Sequence, residues 1–424
     1  MPALNGFLSA AIVLAGTAAF VWVLMQPAAA LGRRLGLVDL PSSRRTRVRP
    51  VPTTGGIVVF LGLAASTVFA LAQYGADAPD LAPKVVALLL GGTVMVVLGT
   101  IDDRINLSPQ SKIVVQIAVA VLMLTSGVAI ERVRFFFGPT FHLGWLGYPL
   151  TVVWFLAFMN ALNLIDGLDG LAAGIAAIAS AALIAVGVIN TNPLLYVPAA
   201  GLLGSALGFL AHNFPRGNVY LGDAGSMVLG FFIAGAAIIG AANDGASKSL
   251  LVAGACMVVP AFDVATTILR RRRGRRGIMT PDRGHIHHRL IRFGLNPKMA
   301  VLVLWGLTAF IAMQLLSLFT SFGLLFILGS YAFALFVARS LASQRRKNVW
   351  TTDREFRDEV LYLVGMRESI GHDDTRTREM SLRDMIVEQI RREALYRRLR
   401  RAERAGRGRE GGDAVGAGKG RRGA

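Results

Sequence analysis

Apolar residues run along the chain in blocks of roughly twenty, separated by Arg clusters or turn residues. A block of that length is what one helix needs to cross a hydrocarbon layer of ~30 Å. The pattern predicts eleven spans, at roughly 4–27, 52–73, 84–101, 112–130, 146–163, 170–189, 194–212, 225–242, 248–269, 300–318 and 322–340. The first block is longer than a signal-peptide core and lacks an acceptable cleavage site, so it reads as a span and not a removed leader. The expected fold is therefore all-α: a polytopic membrane protein of about eleven transmembrane helices. Beyond residue 340 the pattern changes. Leu382, Met385, Ile386, Ile390 and Ala394 recur at helical spacing among many Arg, which predicts a basic helical tail over 341–405. The Gly, Arg and Ala run over 406–424 cannot bury a core and is expected to be disordered.

Composition supports the membrane reading. Of 424 residues, 54% are hydrophobic and only 17% charged, where a soluble domain carries about 25% charged. A net charge of +19 would suggest a nucleic-acid binder in a soluble protein, but the bases are dispersed. From Arg339 onward 22 basic residues stand against 14 acidic ones, and before it 23 stand against 12, so no nucleic-acid partner is expected. The single Cys256 excludes an intrachain disulfide and a cysteine-based metal site.

The bases give an orientation. Arg33, Arg34, Arg44, Arg45, Arg47 and Arg49 follow span one, and Arg270–Arg273, Arg275, Arg276, Arg283, Arg289, Arg292 and Lys298 follow span nine. Positive-inside bias then puts the N-terminus outside and the C-terminus in the cytoplasm, with anionic lipids at the basic loops. Eight of the acids before residue 339 fall at the cytoplasmic side: Asp39, Asp102, Asp103, Asp166, Asp169, Asp223, Asp263 and Asp282. Carboxylates at membrane depth are costly and mark function by default; the plainer reading is that each caps a helix.

Four segments carry candidate chemistry. Asp102 and Asp103 are adjacent and repel unless a cation or hydrogen-bond donors offset them, although for the pair taken alone an exposed turn with Asp103 pairing Arg104 is the better explanation. In the stretch from Asn160 to Gly170, Asn160, Asn163 and Asp166 recur three apart and would converge at one helix end, with Asp169 following. Such oxygens suit a hard divalent cation or a sugar nucleotide; a satisfied turn is the alternative. At Gly222-Asp223-Ala224-Gly225-Ser226 a helix start could receive phosphate on its backbone N–H groups, while Asp223 either caps the helix or holds a metal. Finally, His285, His287 and His288 stand among arginines without zinc-ligand spacing, which fits gripping phosphate oxygens.

These segments resemble, in order, the polyprenyl-phosphate N-acetylhexosamine-1-phosphate transferases. The resemblance runs from about Gly36 to Lys298, through Pro50-Val-Pro52-Thr-Thr-Gly55-Gly56, Asp102-Asp103, Asn160 to Gly170, Gly222 to Ser226, Asp263 and His285 to Leu290. The His segment is more similar to the WecA and TagO type, which use UDP-N-acetylglucosamine, than to the MraY type, which transfers phospho-MurNAc-pentapeptide. The resemblance implies transfer of a sugar phosphate from UDP-GlcNAc to polyprenyl phosphate at the cytoplasmic face of a bacterial plasma membrane. It implies Mg²⁺, with Mn²⁺ as a substitute, held by Asp223 and Asn163. Asp102, Asp103, Asp166, Asp169, His285, His287 and His288 would form the catalytic group, and Arg45, Arg47, Asn160, Asn163, Gly222, Asp263 and Arg289 the substrate-binding group. Arg45 and Arg47 replace the family's usual Lys and His, which keeps the charge but changes the geometry. A homodimer is compatible with this reading. A phosphate monoester is mostly dianionic at neutral pH, with a second pKa near ~6, so Asp102 and Asp103 are expected to position groups or support metal more than to act as bases.

The rival class is an ion-coupled transporter, which also uses intramembrane Asp. It calls for ionisable groups near mid-bilayer and an inverted repeat, whereas these acids gather at one face and the sequence shows no repeat.

Overall fold

The computed structural model describes residues 2–39, 50–77, 81–134, 138–243, 247–273, 285–292, 295–320 and 323–346. The chain divides into two compact units, Met1–Arg357 and Asp358–Ala424, and the described residues all belong to the first. The predicted tail helix, the run over 406–424, and Arg45, Arg47 and Asp282 lie outside the described residues.

The first unit is helical, as its apolar blocks require. In chain order it holds α1 (Pro2–Leu35), α2 (Gly55–Tyr74), α3 (Leu81–Ile105), α4 (Pro109–Thr125), α5 (Gly147–Ile165), α6 (Leu171–Ile189) and α7 (Pro193–Asn213). After these come α8 (Gly222–Asn243), α9 (Lys248–Cys256), α10 (Val258–Arg273), α11 (Ile286–Arg292), α12 (Pro297–Ser317) and α13 (Gly323–Arg346). Two short antiparallel hairpins depart from the all-α expectation: β1 (Val38–Asp39) with β2 (Val51–Pro52), and β3 (Arg132–Arg134) with β4 (Thr140–His142).

Eight helices have the length and apolarity to cross a membrane, and α9 with α10 form a ninth unit bent by 56°. Pro260 near the start of α10 accounts for the bend, because it cannot donate the backbone bond that would continue α9. The apolar helix α4 and the apolar part of α13, Gly323–Phe336, are shorter than those eight helices. Eight helices, or nine units with the bent pair, are thus long and apolar enough to cross a membrane among the described residues, and the protein is a multi-pass membrane protein. Helix ends differ from the sequence reading in two places. Helix α3 continues through Asp102 and Asp103, and α10 continues through the Arg270–Arg273 run, both of which were expected in loops. Periodicity alone did not extend there, because the apolar signal stops before the backbone bonding does.

Helix α8 is the centre of the bundle. Of its apolar window 94% is buried inside the protein, against 22% for α1, and it packs on α2, α3, α5, α6, α7 and α9. Small residues along α8 and its neighbours let backbones approach, the usual basis of helix association in lipid. Ser108 accepts from Ser111 N–H to cap α4 behind Pro109, and Asn296 does the same for α12 through Met299 N–H behind Pro297. These caps fix where α4 and α12 begin.

Candidate active site

The carboxylates meet where α3 ends and α8 begins. Asp102 sits on the last turn of α3, and its Oδ1 accepts from Leu107 N–H at 2.7 Å, closing the turn through Asn106, whose φ is +53°. Its Oδ2 accepts from Lys112 Nζ at 2.7 Å, and the same Nζ donates to Asp223 Oδ2 at 3.0 Å. Lys112 thereby joins α3, α4 and α8. Asp102, at the C-terminal end of α3, faces the negative pole of the helix dipole, which the charge of its partner Lys112 offsets. Lys112 was not among the predicted site residues. The signal that could have found it is a lone ammonium in an otherwise apolar helix.

Asp103 turns toward α8. Its Oδ1 accepts from Asp223 N–H at 2.9 Å, while its Oδ2 is buried without a hydrogen-bond partner. Gly222 permits this approach in two ways. Its φ is +71°, the left-handed region that glycine adopts freely, and a Cβ there would lie 2.3 Å from Asp103 Oδ2. Of the backbone N–H groups expected to receive phosphate at this helix start, that of Asp223 donates to Asp103.

Helix α5 contributes the amides, which diverge instead of converging. Asn160 Nδ2 donates to Gln116 Oε1 at 2.7 Å and to Leu156 O, and Gln116 in turn reaches Met227 Sδ. Asn160 thus clamps α5 to α4 through its Nδ2. Asn163 Nδ2 donates to Ser226 Oγ at 3.0 Å, and its side chain also bonds the Asp223 carboxylate. One turn further, Asp166 ends α5 and the loop carrying Asp169 follows; both have polar partners in the structure. Asn213 closes this loop, accepting from Gly170 N–H and donating to Val219 O. The Pro50–Gly56 segment braces the opposite side: Tyr220 N–H bonds Pro52 O, and Gly55 and Gly56 N–H bond Tyr220 and Leu221 O.

The three histidine rings lie together but differ in their surroundings. His285 Nδ1 bonds Asp263 Oδ2 at 2.9 Å, and Asp263 Oδ1 accepts from Ile286 N–H at 2.7 Å. Asp263, expected among the substrate-binding residues, is 1% exposed, with both oxygens engaged inside the protein. His287 is buried, and its ring lies over Gly167, where a Cβ would come within 2.4 Å of Nε2. Burial first, then the neighbouring His288 and His285 rings, push its imidazole down to about 3, against a smaller opposing pull from Asp263. His287 is therefore neutral at physiological pH and brings no charge to a phosphate. His288 is half-buried, 4.3 Å from the His287 ring, and Arg289 is exposed; these two remain as the charged or chargeable reach of the segment.

Among the described residues no three His, Cys, Asp or Glu side chains enclose a metal by themselves. Mg²⁺ asks for less, since it is commonly held by one or two carboxylates together with substrate phosphates and water. The buried, unpartnered Asp103 Oδ2 beside the Asp223–Asn163 pair is a donor set of that kind, so the residues fit the ion.

Fold and cluster define a multi-pass membrane protein that gathers carboxylates and a lysine at one end of its central helix. Residues 85–241 match the family described as glycosyl transferase family 4. The chain is 34% identical over 273 residues to a probable undecaprenyl-phosphate N-acetylglucosaminyl 1-phosphate transferase of Bacillus subtilis, covering 64% of this chain and 74% of that one. It is 34% identical over 314 residues to the decaprenyl-phosphate N-acetylglucosaminephosphotransferase of Mycobacterium tuberculosis, covering 67% and 77%. A third relative, the undecaprenyl-phosphate alpha-N-acetylglucosaminyl 1-phosphate transferase of Salmonella typhi, is 29% identical over 285 residues, covering 66% and 76%. These place the protein among enzymes of the transferase class. The chain belongs to the polyprenyl-phosphate N-acetylhexosamine-1-phosphate transferase family.

Proposed function

We propose that the protein transfers N-acetylglucosamine-1-phosphate from UDP-GlcNAc to a polyprenyl phosphate, at the cytoplasmic face of a bacterial plasma membrane, in an eleven-span, N-outside topology. A lipid phosphate oxygen attacks the β-phosphorus of the nucleotide; the bond from that phosphorus to the bridging oxygen breaks, and UMP leaves with the bridging oxygen. The product is a lipid-diphosphate sugar. The names of the three relatives support GlcNAc and a polyprenyl acceptor over the pentapeptide substrate.

The observation that carries this reading is the Lys112 bridge between Asp102 and Asp223. Phosphoryl transfer asks for positioning and charge neutralisation more than covalent help. Lys112 supplies a fixed positive charge at the junction of three helices, and Asp223, Asn163 and Asp103 are the residues that would hold Mg²⁺. When bound, that ion neutralises charge on the diphosphate. Asp102 has both oxygens engaged, so its part is to aim Lys112, not to remove a proton from a phosphate that is already mostly dianionic. The Asp166–Asp169 loop faces the buried His287, which suits orientation of the nucleotide, while His288 and Arg289 suit its phosphates.

The test is incubation of purified protein with UDP-GlcNAc, polyprenyl phosphate and Mg²⁺, with UMP as the readout. UDP-GalNAc and UDP-MurNAc-pentapeptide run in parallel. UMP release only with the pentapeptide donor overturns the GlcNAc assignment, and no UMP release with any of the three donors overturns the activity.

A further inference from the structure

Asp263 is the most enclosed carboxylate of the site region, and nothing in the transfer chemistry above uses it. It stands on α10, yet its two oxygens go to consecutive residues 22 and 23 positions later: Oδ2 to His285 Nδ1 at 2.9 Å and Oδ1 to Ile286 N–H at 2.7 Å. The second bond satisfies the first backbone donor of α11, so the carboxylate both starts that helix and grips the ring just ahead of it. An ionised carboxylate can only accept. The hydrogen in this bond therefore belongs to His285 Nδ1, and in the neutral ring Nε2 is left bare. Thr267 Oγ1 lies 3.5 Å from the same Nδ1 and itself accepts from Arg270 at 2.9 Å, so it is the weaker contact and does not set the ring. His285 and His287 lie parallel, 2° apart with centroids at 5.6 Å, and His287 covers Gly167 of the Asp166–Asp169 loop. The ring orientation that Asp263 imposes is thus continuous with the packing on the donor-side loop.

We propose that Asp263 is a positioning residue for the transfer reaction: it locks His285 in the Nδ1–H tautomer, so that Nε2 meets the substrate as a hydrogen-bond acceptor for a hydroxyl or amide N–H, not as a donor to phosphate. This rests on the transferase reading of the site. A hydrogen-bonding carboxylate behind a histidine is a general device for fixing ring and tautomer, and its removal leaves geometry largely intact while reversing the tautomer. Asp263→Asn provides that reversal: the amide oxygen still accepts from Ile286 N–H, but the amide N–H now donates to Nδ1 and moves the ring hydrogen to Nε2.

The experiment has two arms. In the first, the full-length protein is labelled with ¹⁵N-histidine in lipid, with His285→Gln identifying the His285 signals among the six histidines. The expected result is an Nδ1–H tautomer in the wild type and an Nε2–H tautomer in Asp263→Asn; an Nε2–H wild type overturns the proposal even where no variant folds. In the second, Asp263→Asn is expected to keep the wild-type melting temperature and lose kcat by roughly 10–100-fold, the range seen when carboxylates behind functional histidines are removed. In the His285→Gln background the same change should cost less than about twofold, because the two act as one unit. Full loss in that background, or an Asp263→Asn enzyme with unchanged kcat, overturns it. A wild type that releases no UMP instead sinks the transferase reading, and the labelling arm then decides the tautomer on its own.

Discussion

Gly99 on α3 lies directly against Ala224 on α8: a Cβ built at Gly99 would stand 2.2 Å from both the backbone N and the Cα of Ala224. One turn past Gly99 comes Asp102, and one residue before Ala224 comes Asp223, so this backbone contact sets the distance that Lys112 spans. Gly99→Ala cannot be absorbed by a flexible side chain, since the opposing atoms are main chain. Overpacking of this kind costs about 1–3 kcal/mol, and here it pushes α3 from α8 at the site itself. The expected outcome is a lowered melting temperature with UMP release reduced far more than stability alone accounts for. Measuring both on the same preparation checks it; intact turnover with a lowered melting temperature would separate the contact from the chemistry.

Lys112 is the second lever. Replacing it with Met keeps the length of the side chain and removes the charge that faces Asp102 and Asp223. The carboxylate oxygens then lose their donor, a cost of about 1–3 kcal/mol where the site is dry, moderated because Asp223 is 32% exposed at its side chain. Turnover should fall by a factor of about 100 or more if the fixed charge carries the share that such groups do in phosphoryl transfer. Lys112→Arg keeps the charge but spreads it over a planar fork and should recover only part of the loss. Steady-state UMP release with the three proteins decides this; equal rates for Met and Lys would remove Lys112 from the reaction.

The periodic apolar blocks made the bundle legible, and the short carboxylates at one side made half of the site legible. Asp102, Asp103, Asn163 and Asp223 do come together. What stayed hidden depends on partners from other helices. Asn160 has the same spacing as Asn163, but it faces Gln116 of α4, and no periodicity within α5 tells which neighbour each amide meets. Lys112 is hidden in the sequence because a helix break separates it from the Asp pair; only the Ser108-Pro109 cap and its place four residues before Gln116 put it on the same helix face as that amide. The histidines looked equivalent in sequence, and only burial distinguishes the neutral His287 from its half-buried neighbour His288.

His287 carries a pH signature of its own. Its folded value, about 3, lies below the ordinary histidine value of ~6.5, so the unfolded chain binds the proton more readily than the folded one. The stability it contributes is therefore fully present above about pH 6.5 and is lost as pH falls from there toward 3, with a slope of up to ~1.4 kcal/mol per pH unit from this one group. Melting temperature measured from pH 7.5 down to 4.5 should decline in the wild type and decline less in His287→Leu, which cannot take up the proton. Parallel curves would place the acid sensitivity elsewhere. The same neutrality predicts that turnover shows no loss attributable to His287 between pH 6 and 8.

Asp103 permits a sharper test of the cation site than simple removal of metal. Its Oδ1 holds Asp223 N–H, while Oδ2 is buried and unpartnered, so the two oxygens have separable duties. In Asp103→Asn the amide oxygen keeps the bond to Asp223 and the start of α8 stays in place, but an N–H group replaces the free oxygen and turns an acceptor into a donor. If Oδ2 serves Mg²⁺, directly or through water, the concentration of Mg²⁺ giving half-maximal UMP release should rise about tenfold or more, with the melting temperature in EDTA unchanged or raised because one uncompensated buried carboxylate is gone. Asp223→Asn should raise the Mg²⁺ requirement as well, but it also breaks the Lys112 bridge and should lower the melting temperature. Activity of the wild type in EDTA should be absent and return with Mg²⁺ or Mn²⁺. An Asp103→Asn enzyme whose Mg²⁺ dependence matches the wild type would confine Asp103 to holding the helix start, leaving Asp223 and Asn163 to meet the ion without it.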